Sequence, residues 1–395
     1  MCTRSEPPET TRLRMWKAAA NGRRLKNRLT DMTQPISFAR GAPSLDIVDV
    51  EGLKAAAMRA FEVDPAAVTA YGPVTGYPPL REWIAARYAV DPDQVLLTNG
   101  SLQADAFLFE HLVQPGDDVV VEKPTYDRTL LSLTTMGAKV HQVSLDQDGI
   151  DTDELRGLLE SGLRPKLAHV IPNFQNPAGV TLSLPRRRAL LELAREFRFT
   201  IFEDDPYVDI RFRGEALPSM LSLDDKADPT VVAAGSFTKT VCPGVRVGYL
   251  IGSTAIIGDI AKRAVNTYIS PNMLSEVTVH QFCVTGDIDR SIATVRAALS
   301  TRESKLADAL RREIPGCRFV EPDGGYFLWV ELPDDIEVAK LFPAANARGV
   351  AVVKGSDFLL EGGAHSLRLA YSAVLTDQVD EGVARLAAAI SDVRG

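Results

Sequence analysis

The residues best suited to covalent chemistry lie between Gly235 and Leu250, where an apolar run gives way to the turn-rich sequence GSFTKTVCPGVRVGYL. Lys239 stands three residues after Ser236 and seven before Arg246. A hydroxyl and a guanidinium together can bind a phosphate, because arginine presents a planar fork of donors. A lysine beside a phosphate-bearing ligand can attack a carbonyl and form a Schiff base if its pKa is lowered. The pattern therefore predicts a ligand with a phosphate and an aldehyde, such as pyridoxal 5′-phosphate.

This cofactor needs polar partners elsewhere in the chain, namely a carboxylate for its pyridine nitrogen and donors for its ring oxygen. Asp204 lies at the end of a predicted strand in FEDDPY and would keep the nitrogen protonated, so that the ring withdraws electrons from a substrate carbanion. Tyr207, three residues later, and Asn176 in the turn PNFQNPAG are able to donate to the ring oxygen. Both ring contacts are thus available.

Two more segments match the phosphate and the flat ring. Gly100 and Ser101 in TNGSLQA lie where a predicted strand gives way to a helix, and the free N–H groups of a helix N-terminus favour a phosphate. Tyr126 in EKPTYDR follows another strand and is able to stack on the ring. Each motif alone also fits an ordinary turn, cap or core residue. Their joint occurrence in an α/β chain favours cofactor binding.

Strands and helices alternate from Ile36 onward, and this alternation positions the candidates. Helical stretches such as PRRRALLELAREF carry apolar residues at i, i+3, i+4 and i+7. Seven short apolar runs read as strands: QVLLTNG, DDVVVEKP, KVHQVSL, LAHVIPN, FTIFED, TVVAAGSF and RVGYLIG. The alternation predicts a doubly wound, mostly parallel sheet, whose ligands bind beyond the carboxyl ends of the strands.

The C-terminal part has a different pattern, which is typical of an α+β arrangement. A long helical stretch runs from about Ser291 to Ile314. The sequence CRFVEPDGGYFLWVELP then reads as a hairpin or a pair of strands around Gly324 and Gly325. GVAVVKG and SLRLAYS read as further strands, and a closing helix follows. We expect a second, smaller domain here.

Composition excludes several classes of protein. The net charge of −8 argues against a nucleic-acid binder, which needs a basic face, and no apolar run approaches the roughly 18 residues of a membrane span. The four cysteines and five histidines are scattered, without the spacing of a metal site or a disulfide framework. We predict no metal, no membrane contact and reduced thiols in a cytoplasm.

The motifs together resemble the pyridoxal-phosphate-dependent aminotransferases of fold type I, class I and II. The resemblance is strongest to the branch with 2-aminoadipate and kynurenine aminotransferases and the catalytic domains of MocR-type regulators. It extends from about residue 36 to the end and rests on YGPVTGYPPLR, NGSLQA, PTY, PNFQNPAG, EDDPY, SFTKTVCPGVRVGY, PDGGYFLW and SLRLAYS. This set is far more specific than any lone glycine motif.

The resemblance implies the roles of the catalytic residues. Lys239 would form the Schiff base and later carry the proton, and Asp204 would pair with the pyridine nitrogen. Asn176 and Tyr207 would contact the ring oxygen, and Tyr126 would stack on the ring. The expected reaction is a biosynthetic transfer of an amino group between an L-amino acid and a 2-keto acid.

The phosphate and the substrate would be held by other residues. The resemblance assigns the phosphate to Ser101, the backbone at Leu102, Ser236 and Arg246, beside Gly100. Tyr71 would reach the phosphate in a neighbouring subunit, which implies a homodimer with shared active sites. Arg368 would bind the substrate α-carboxylate, with Gly41 and Asn176 lining the same pocket. Arg40 would bind a second acidic group or form a surface ion pair.

The resemblance and the pattern together divide the chain into four segments. Residues 1–34 are basic, and their apolar positions are too sparse for a signal peptide. The segments are a poorly ordered extension over residues 1–34, an N-terminal segment over 35–60 that packs on the small domain, a large cofactor-binding domain over 61–290 with a seven-stranded sheet, and a small domain over 291–395.

Two other functions use the same motifs. A pyridoxal-phosphate lyase, replacement or carbon–carbon bond-forming enzyme would need the same lysine, aspartate and phosphate site, because function depends on the site and not on the fold. A ligand-sensing transcriptional regulator would carry a winged-helix domain before the catalytic motifs. Only about 34 residues precede them here, so we expect an enzyme without nucleic-acid contact.

Overall fold

The computed structural model of the protein describes residues 35–394. The predicted extension over residues 1–34 lies outside the described residues, so its order and role stay predictions. Strands alternate with helices, as the sequence pattern predicts. The strands are β1 (Ile36–Ser37), β2 (Val95–Thr98), β3 (Asp118–Lys123), β4 (Lys139–Asp146), β5 (Gly149–Ile150), β6 (Leu167–Val170), β7 (Thr200–Asp204), β8 (Val231–Ser236), β9 (Gly248–Ile251), β10 (Phe327–Glu331), β11 (Val350–Ala351), β12 (Val353–Lys354) and β13 (Ser366–Ala370).

The helices cover the sheets and include one long helix that the sequence predicts with a later start. The α-helices are α1 (Val50–Val63), α2 (Pro65–Thr69), α3 (Pro78–Tyr88), α4 (Ser101–Leu112), α5 (Asp127–Thr135), α6 (Thr152–Glu160), α7 (Leu184–Phe197), α8 (Met220–Leu223), α9 (Thr254–Tyr268), α10 (Met273–Val284), α11 (Asp287–Glu313), α12 (Val338–Ala347) and α13 (Val379–Arg394). Among the described residues, none of these helices is long and apolar enough to cross a membrane.

The central sheet has eight strands in the order β2-β9-β8-β7-β6-β3-β4-β5. The pairs β3–β4, β3–β6, β6–β7 and β7–β8 are parallel, whereas β9 runs antiparallel to both of its neighbours. Seven of the strands correspond to the seven predicted runs. The eighth, Gly149–Ile150, folds back on the end of β4 as a short antiparallel strand. The sheet is therefore mostly parallel, as predicted, and one strand wider.

Burial on both faces explains why these strands read as continuous apolar runs. Val119, Val120 and Val121 of β3 are fully buried, although alternate side chains of a strand point to opposite faces. Val119 and Val121 pack in one cluster with Leu108 of α4, whereas Val120 packs in another with Leu190 of α7. Helices on both faces therefore leave only the strand ends for polar residues.

The C-terminal part contains a three-stranded antiparallel sheet with the order β10-β13-β12, and α11 packs against α13. The expected hairpin around Gly324 is only partly present, because just Arg318 bridges to Glu331 before the chain turns away to pair at Arg211. β1 pairs with β11 and attaches the N-terminal segment to this part. The predicted boundary at residue 290 falls inside α11, so the division into segments stays a prediction.

A buried arginine holds the N-terminal segment in place. Arg302 of α11 is almost fully buried and donates to Ser44 Oγ at 2.8 Å and to Asp46 Oδ2 at 2.6 Å. It also donates to the Ser372 carbonyl at 2.9 Å, just after β13. These bonds fix residues 44–46 between the long helix and the smaller sheet. The preceding residues, including Gly41, consequently lie over the ends of the central strands.

Candidate active site

A cavity of about 400 Å³ lies at the carboxyl ends of β6, β7 and β8. The structure brings most of the predicted site residues into its wall. Those that line it are Gly41, Ser101, Leu102, Tyr126, Asn176, Asp204, Tyr207, Ser236, Lys239, Arg246 and Arg368. Residues distant in sequence meet here because parallel strands end at the same edge of a sheet.

Lys239 occupies the loop after β8, and its amine points into the cavity. Nζ donates to the Gly41 carbonyl at 3.2 Å, and it lies 5.5 Å from the ring centre of Tyr207 and 5.0 Å from that of Tyr326. Burial lowers the pKa of Lys239 to about 8, although the nearby charge of Asp204 opposes this change. A much larger share of Lys239 molecules than of ordinary lysines therefore carries an uncharged, nucleophilic amine near neutral pH.

Asp204 is the last residue of β7 and is 4% exposed. Its Oδ2 lies 3.5 Å from Nε2 of His169, which sits on the neighbouring strand β6. Its other oxygen, Oδ1, is buried and has no hydrogen-bond partner among the described residues. A buried acceptor without a partner is costly. Asp204 therefore fits a protonated pyridine nitrogen, which would supply the missing donor.

The part of the cavity predicted to bind a phosphate lies at the start of α4. Gly100 is the N-cap of α4 with φ +90°, and a Cβ there would overlap the guanidinium of Arg246. Gly248 is equally restricted, because a Cβ would meet the backbone of Gly100 and Ser101. The two glycines allow β9 and Arg246 to approach the helix N-terminus closely. Free N–H groups, a hydroxyl and a guanidinium meet at this end, which fits a phosphate.

Arg368 on β13 closes the opposite side of the cavity and is 8% exposed. It donates to Asn176 Oδ1 at 3.0 Å and to the Ala39 carbonyl at 2.9 Å. Its guanidinium carbon lies 4.2 Å from the ring centre of Phe327 and 4.8 Å from that of Phe358. Its buried Nε has no partner among the described residues, so this face is prepared for an anion.

Three predicted residues do not line the cavity. Gly100 lies directly behind it at the helix start, as described above. Arg40 is exposed and lies outside the cavity wall, so its role as a second anion-binding group stays a prediction. Tyr71 is 82% exposed and lines a separate depression with Leu274. Its assignment to the neighbouring subunit also stays a prediction.

The cavity also contains residues that the sequence analysis missed. Asp105 on α4 is buried, and burial together with the charge of Asp204 raises its pKa. Asp127 and Arg128 follow Tyr126 in PTYDR and line the cavity mouth. Only PTYDR offered a sequence signal, because it places two charges directly after the predicted stacking residue. Nothing in the helix pattern indicates that Asp105 faces inward.

Comparisons with known proteins identify the family of the chain. The family model for aminotransferases of class I and II matches residues 33–386. The 2-aminoadipate transaminase of Thermus thermophilus is 32% identical, over 92% of each chain, and the aromatic-amino-acid aminotransferase 1 of Thermococcus litoralis is 32% identical over 92% of this chain and 90% of its own.

Solved structures show the same fold. The alpha-aminoadipate aminotransferase LysN of Thermus thermophilus, in complex with N-(5′-phosphopyridoxyl)-L-leucine, superposes with a TM-score of 0.87 at 31% identity, covering 95% of this chain and 97% of that one. The kynurenine aminotransferase of Pyrococcus horikoshii gives a TM-score of 0.86 at 32% identity, covering 95% and 96%.

Fold and site define a pyridoxal-phosphate enzyme of fold type I, with a large sheet domain and a smaller C-terminal domain. The chain belongs to the class I and II aminotransferases. It is an enzyme that transfers amino groups and uses pyridoxal 5′-phosphate. The alternatives of elimination, replacement, carbon–carbon bond formation and ligand-sensing regulation are not favoured by these relatives.

The pKa of Lys239 gives a testable pH dependence. Attachment of pyridoxal 5′-phosphate to the cofactor-free protein needs the uncharged amine, so its rate should rise from pH 6 and level off above a midpoint near 8. An ordinary lysine would give a midpoint of about 10.4. Stopped-flow absorbance of the bound cofactor measures the rate. Asp204→Asn should move the midpoint lower, because the Asp204 charge raises this pKa; a wild-type midpoint above 9.5 would contradict the assignment.

Proposed function

We propose that Lys239 is the Schiff-base lysine of this aminotransferase and that Asp204 and Arg368 hold the cofactor and substrate at its two ends. The observation that carries the proposal is the convergence of three groups on one cavity. These are a buried amine of lowered pKa, a buried carboxylate oxygen without a partner, and a guanidinium with a free Nε. The carboxylate oxygen and the guanidinium Nε have no partner among the described residues, and the amine has only a backbone carbonyl, so a cofactor–amino acid pair would supply a further partner to each.

The cofactor contacts are assigned by position. When bound, pyridoxal 5′-phosphate supplies an aldehyde carbon for the amino group and a ring that accepts an electron pair. Asp204 would hold the ring nitrogen, and the His169 ring lies behind it, with Nε2 3.5 Å from Oδ2. Asn176 and Tyr207 would contact the ring oxygen, and Tyr126 would cover the ring face. The phosphate would be bound by Ser101, the backbone at Leu102, Ser236 and Arg246.

Lys239 would also move the proton. When its amine is free, a pKa of about 8 would leave Lys239 able to take the α-proton of the substrate near neutral pH. The Gly41 carbonyl 3.2 Å away holds Nζ inside the cavity. The same amine would afterwards carry this proton, so that one group would act as base and as acid.

The substrate is proposed to be an amino acid with a long acidic or an aromatic side chain. Arg368 would bind the α-carboxylate, because its Nε is free and its plane is fixed between Phe327 and Phe358. Tyr126, Phe327 and Arg128 also line the cavity and suit a ring or a second carboxylate. The names of the relatives, which include 2-aminoadipate, kynurenine and aromatic amino acids, support this class.

A screen of amino donors tests the substrate class. We expect 2-aminoadipate, glutamate, kynurenine or an aromatic amino acid to convert the bound cofactor to its amino form with a kcat/KM at least tenfold above that of alanine or lysine. Absorbance of the holoenzyme measures the conversion, and Lys239→Ala is the control that should show none. A preference for small or cationic donors would refute the proposed class.

Removal of the guanidinium at position 368 tests whether Arg368 binds the substrate α-carboxylate. Arg368→Ala should raise the KM for amino donors about 100-fold, because a charge-assisted bidentate pairing contributes roughly 3 kcal/mol. Cofactor affinity should change less than threefold, because Arg368 lies at the opposite side from the phosphate site. Steady-state kinetics and equilibrium dialysis give the two values. An equal loss of apparent affinity for the amino donor and for the cofactor would contradict the assignment of Arg368 to the substrate α-carboxylate.

We also propose a cytoplasmic homodimer with shared active sites. Exposed apolar and aromatic side chains lie on α1 and α10 and directly after α2 and α9, where α10 packs against both α1 and α2. They are Met58, Phe61, Tyr71, Ile269 and Leu274. Such a patch is typical of a protein interface. The described cysteines are free thiols, which supports a reducing compartment.

Subunit complementation tests the shared site. Tyr71→Ala should be inactive at low cofactor concentration, and Lys239→Ala should be inactive throughout. Co-expression of the two variants should restore about a quarter of wild-type activity, since half of the dimers are mixed and each mixed dimer has one intact site. Activity per protomer of the isolated mixture is the measurement. No recovery in a mixed dimer would show that Tyr71 serves its own subunit or none.

A further inference from the structure

Glu122 is a buried acid beside the active site that has no part in the reaction described above. It is the second-last residue of β3 and only 1% exposed. Its Oε2 accepts hydrogen bonds from Gln175 Nε2 at 2.8 Å and from the Ile171 N–H at 3.2 Å. Ile171 lines the cavity, and Gln175 directly precedes Asn176. One carboxyl oxygen therefore ties two neighbouring strand ends together.

Gln175 links Glu122 to the turn that carries Asn176. Its Nε2 also donates to the Pro124 carbonyl at 2.8 Å, and its Oε1 accepts from the Ala178 N–H at 2.8 Å. Its backbone N–H donates to the Val180 carbonyl at 2.9 Å. Asn176 is thus enclosed in a turn whose side-chain anchor is Gln175. Its own Oδ1 accepts from Arg368.

We propose that Glu122 is a positioning residue that holds the turn of Asn176 against Arg368 and so sets the geometry of the substrate-carboxylate site. The connection runs from the Glu122 carboxyl through Gln175 to Asn176 and then to the guanidinium. Among residues 35–394, Arg368 donates hydrogen bonds only to Asn176 and the Ala39 carbonyl, so Asn176 fixes one of its two terminal nitrogens. A displaced turn would rotate the guanidinium away from the α-carboxylate.

The ionisation of Glu122 identifies the conservative replacement. Burial raises the pKa of Glu122 to about 8, so the carboxyl is mostly protonated at neutral pH. Glutamine has the shape of a protonated glutamate, and its carbonyl oxygen accepts from the same two donors. Alanine removes the acceptor and leaves the buried Ile171 N–H without its partner. The inference rests on the proposed role of Arg368.

Glu203 on β7, two strands away from β3 in the same sheet, provides a matched control. It is also 1% exposed, and it accepts from two backbone N–H groups, those of Met220 at 2.8 Å and Leu221 at 2.9 Å. These residues belong to α8 and do not line the cavity. Both Glu122→Ala and Glu203→Ala remove a buried hydrogen-bond acceptor, but only Glu122→Ala should displace the turn of Asn176. A comparison of the two variants therefore separates a general loss of stability from a displacement of the active-site turn.

The test compares holoenzyme variants by the affinity of an unreactive carboxylate, 3-phenylpropionate, measured by titration calorimetry. We expect Glu122→Ala to weaken its binding at least tenfold and to raise the KM for an amino donor by a similar factor. Glu122→Gln should restore most of this loss. Glu203→Ala should lower the melting temperature as much as Glu122→Ala does, with affinity changed less than twofold.

A second variant keeps the test decisive if Glu122→Ala does not fold. Gln175→Ala breaks the same connection from the other end, and it should also weaken the binding of 3-phenylpropionate tenfold. The inference is overturned if either folded variant binds 3-phenylpropionate as the wild type does, or if Glu122→Gln binds as weakly as Glu122→Ala. If Arg368→Ala leaves the KM unchanged, the proposed carboxylate role fails; if only the Glu122 variants leave it unchanged, the positioning role alone fails.

Discussion

The active site depends on the removal of one lysine amine from water. Lys239 lies between aromatic rings, with a backbone carbonyl as its hydrogen-bond acceptor, and no carboxylate in the described part of the chain bonds or pairs with it. Desolvation favours the uncharged amine, and it outweighs the more distant charge of Asp204. A direct ion pair would have held the proton on the nitrogen. The rest of the architecture keeps Asp204 in the same cavity as Lys239, at the position proposed for the ring nitrogen, without an ion pair between the two side chains in the described part of the chain.

The fold achieves this separation by using different strands for different charges. Asp204 ends β7, Lys239 follows β8, and Arg368 comes from the separate sheet of the smaller part. Helices bury both faces of the central sheet, so polar groups without partners collect at the strand ends. The N-terminal segment, fixed by Arg302, then covers the amine with Gly41. Phe327 leaves no space for a side chain at position 41.

Much of this could be predicted from sequence, for a definite reason. The apolar runs of a doubly wound sheet are continuous, and each predicted catalytic residue directly followed one of them. The seven predicted strands and the parallel order required no knowledge of side-chain contacts. Local sequence also placed Asp204, Asn176 and Lys239 at strand ends, because the polar residue after a buried strand has few other positions. The motif resemblance then assigned roles that spacing alone left open.

Other features depend on contacts that no local pattern encodes. Asp105 lies on a helix, and the sequence does not show which of its faces meets Asp204. Glu122 reads as an ordinary charge at a strand end, yet it is buried because the next strand brings Gln175 against it. His169 on β6 likewise reads as an isolated histidine in the sequence, yet it is buried beside Asp204. The short strand Gly149–Ile150 was missed because two residues carry no periodicity, and the hairpin at Gly324 was overestimated because the chain pairs with Arg211 instead.

The reversed direction of β9 has a consequence for the loop that precedes it. Because this strand enters the sheet at the cavity edge, Arg246 sits just before a strand, whereas Asp204 and Lys239 sit at or after one. The connection from β8 to β9 thus fixes the distance between Lys239 and Arg246. One inserted residue would displace Arg246 and, if it shifted the register of β9, would also turn each side chain of that strand to the opposite face, since the strand period is two. The length of this loop is therefore constrained by the sheet as well as by the cofactor.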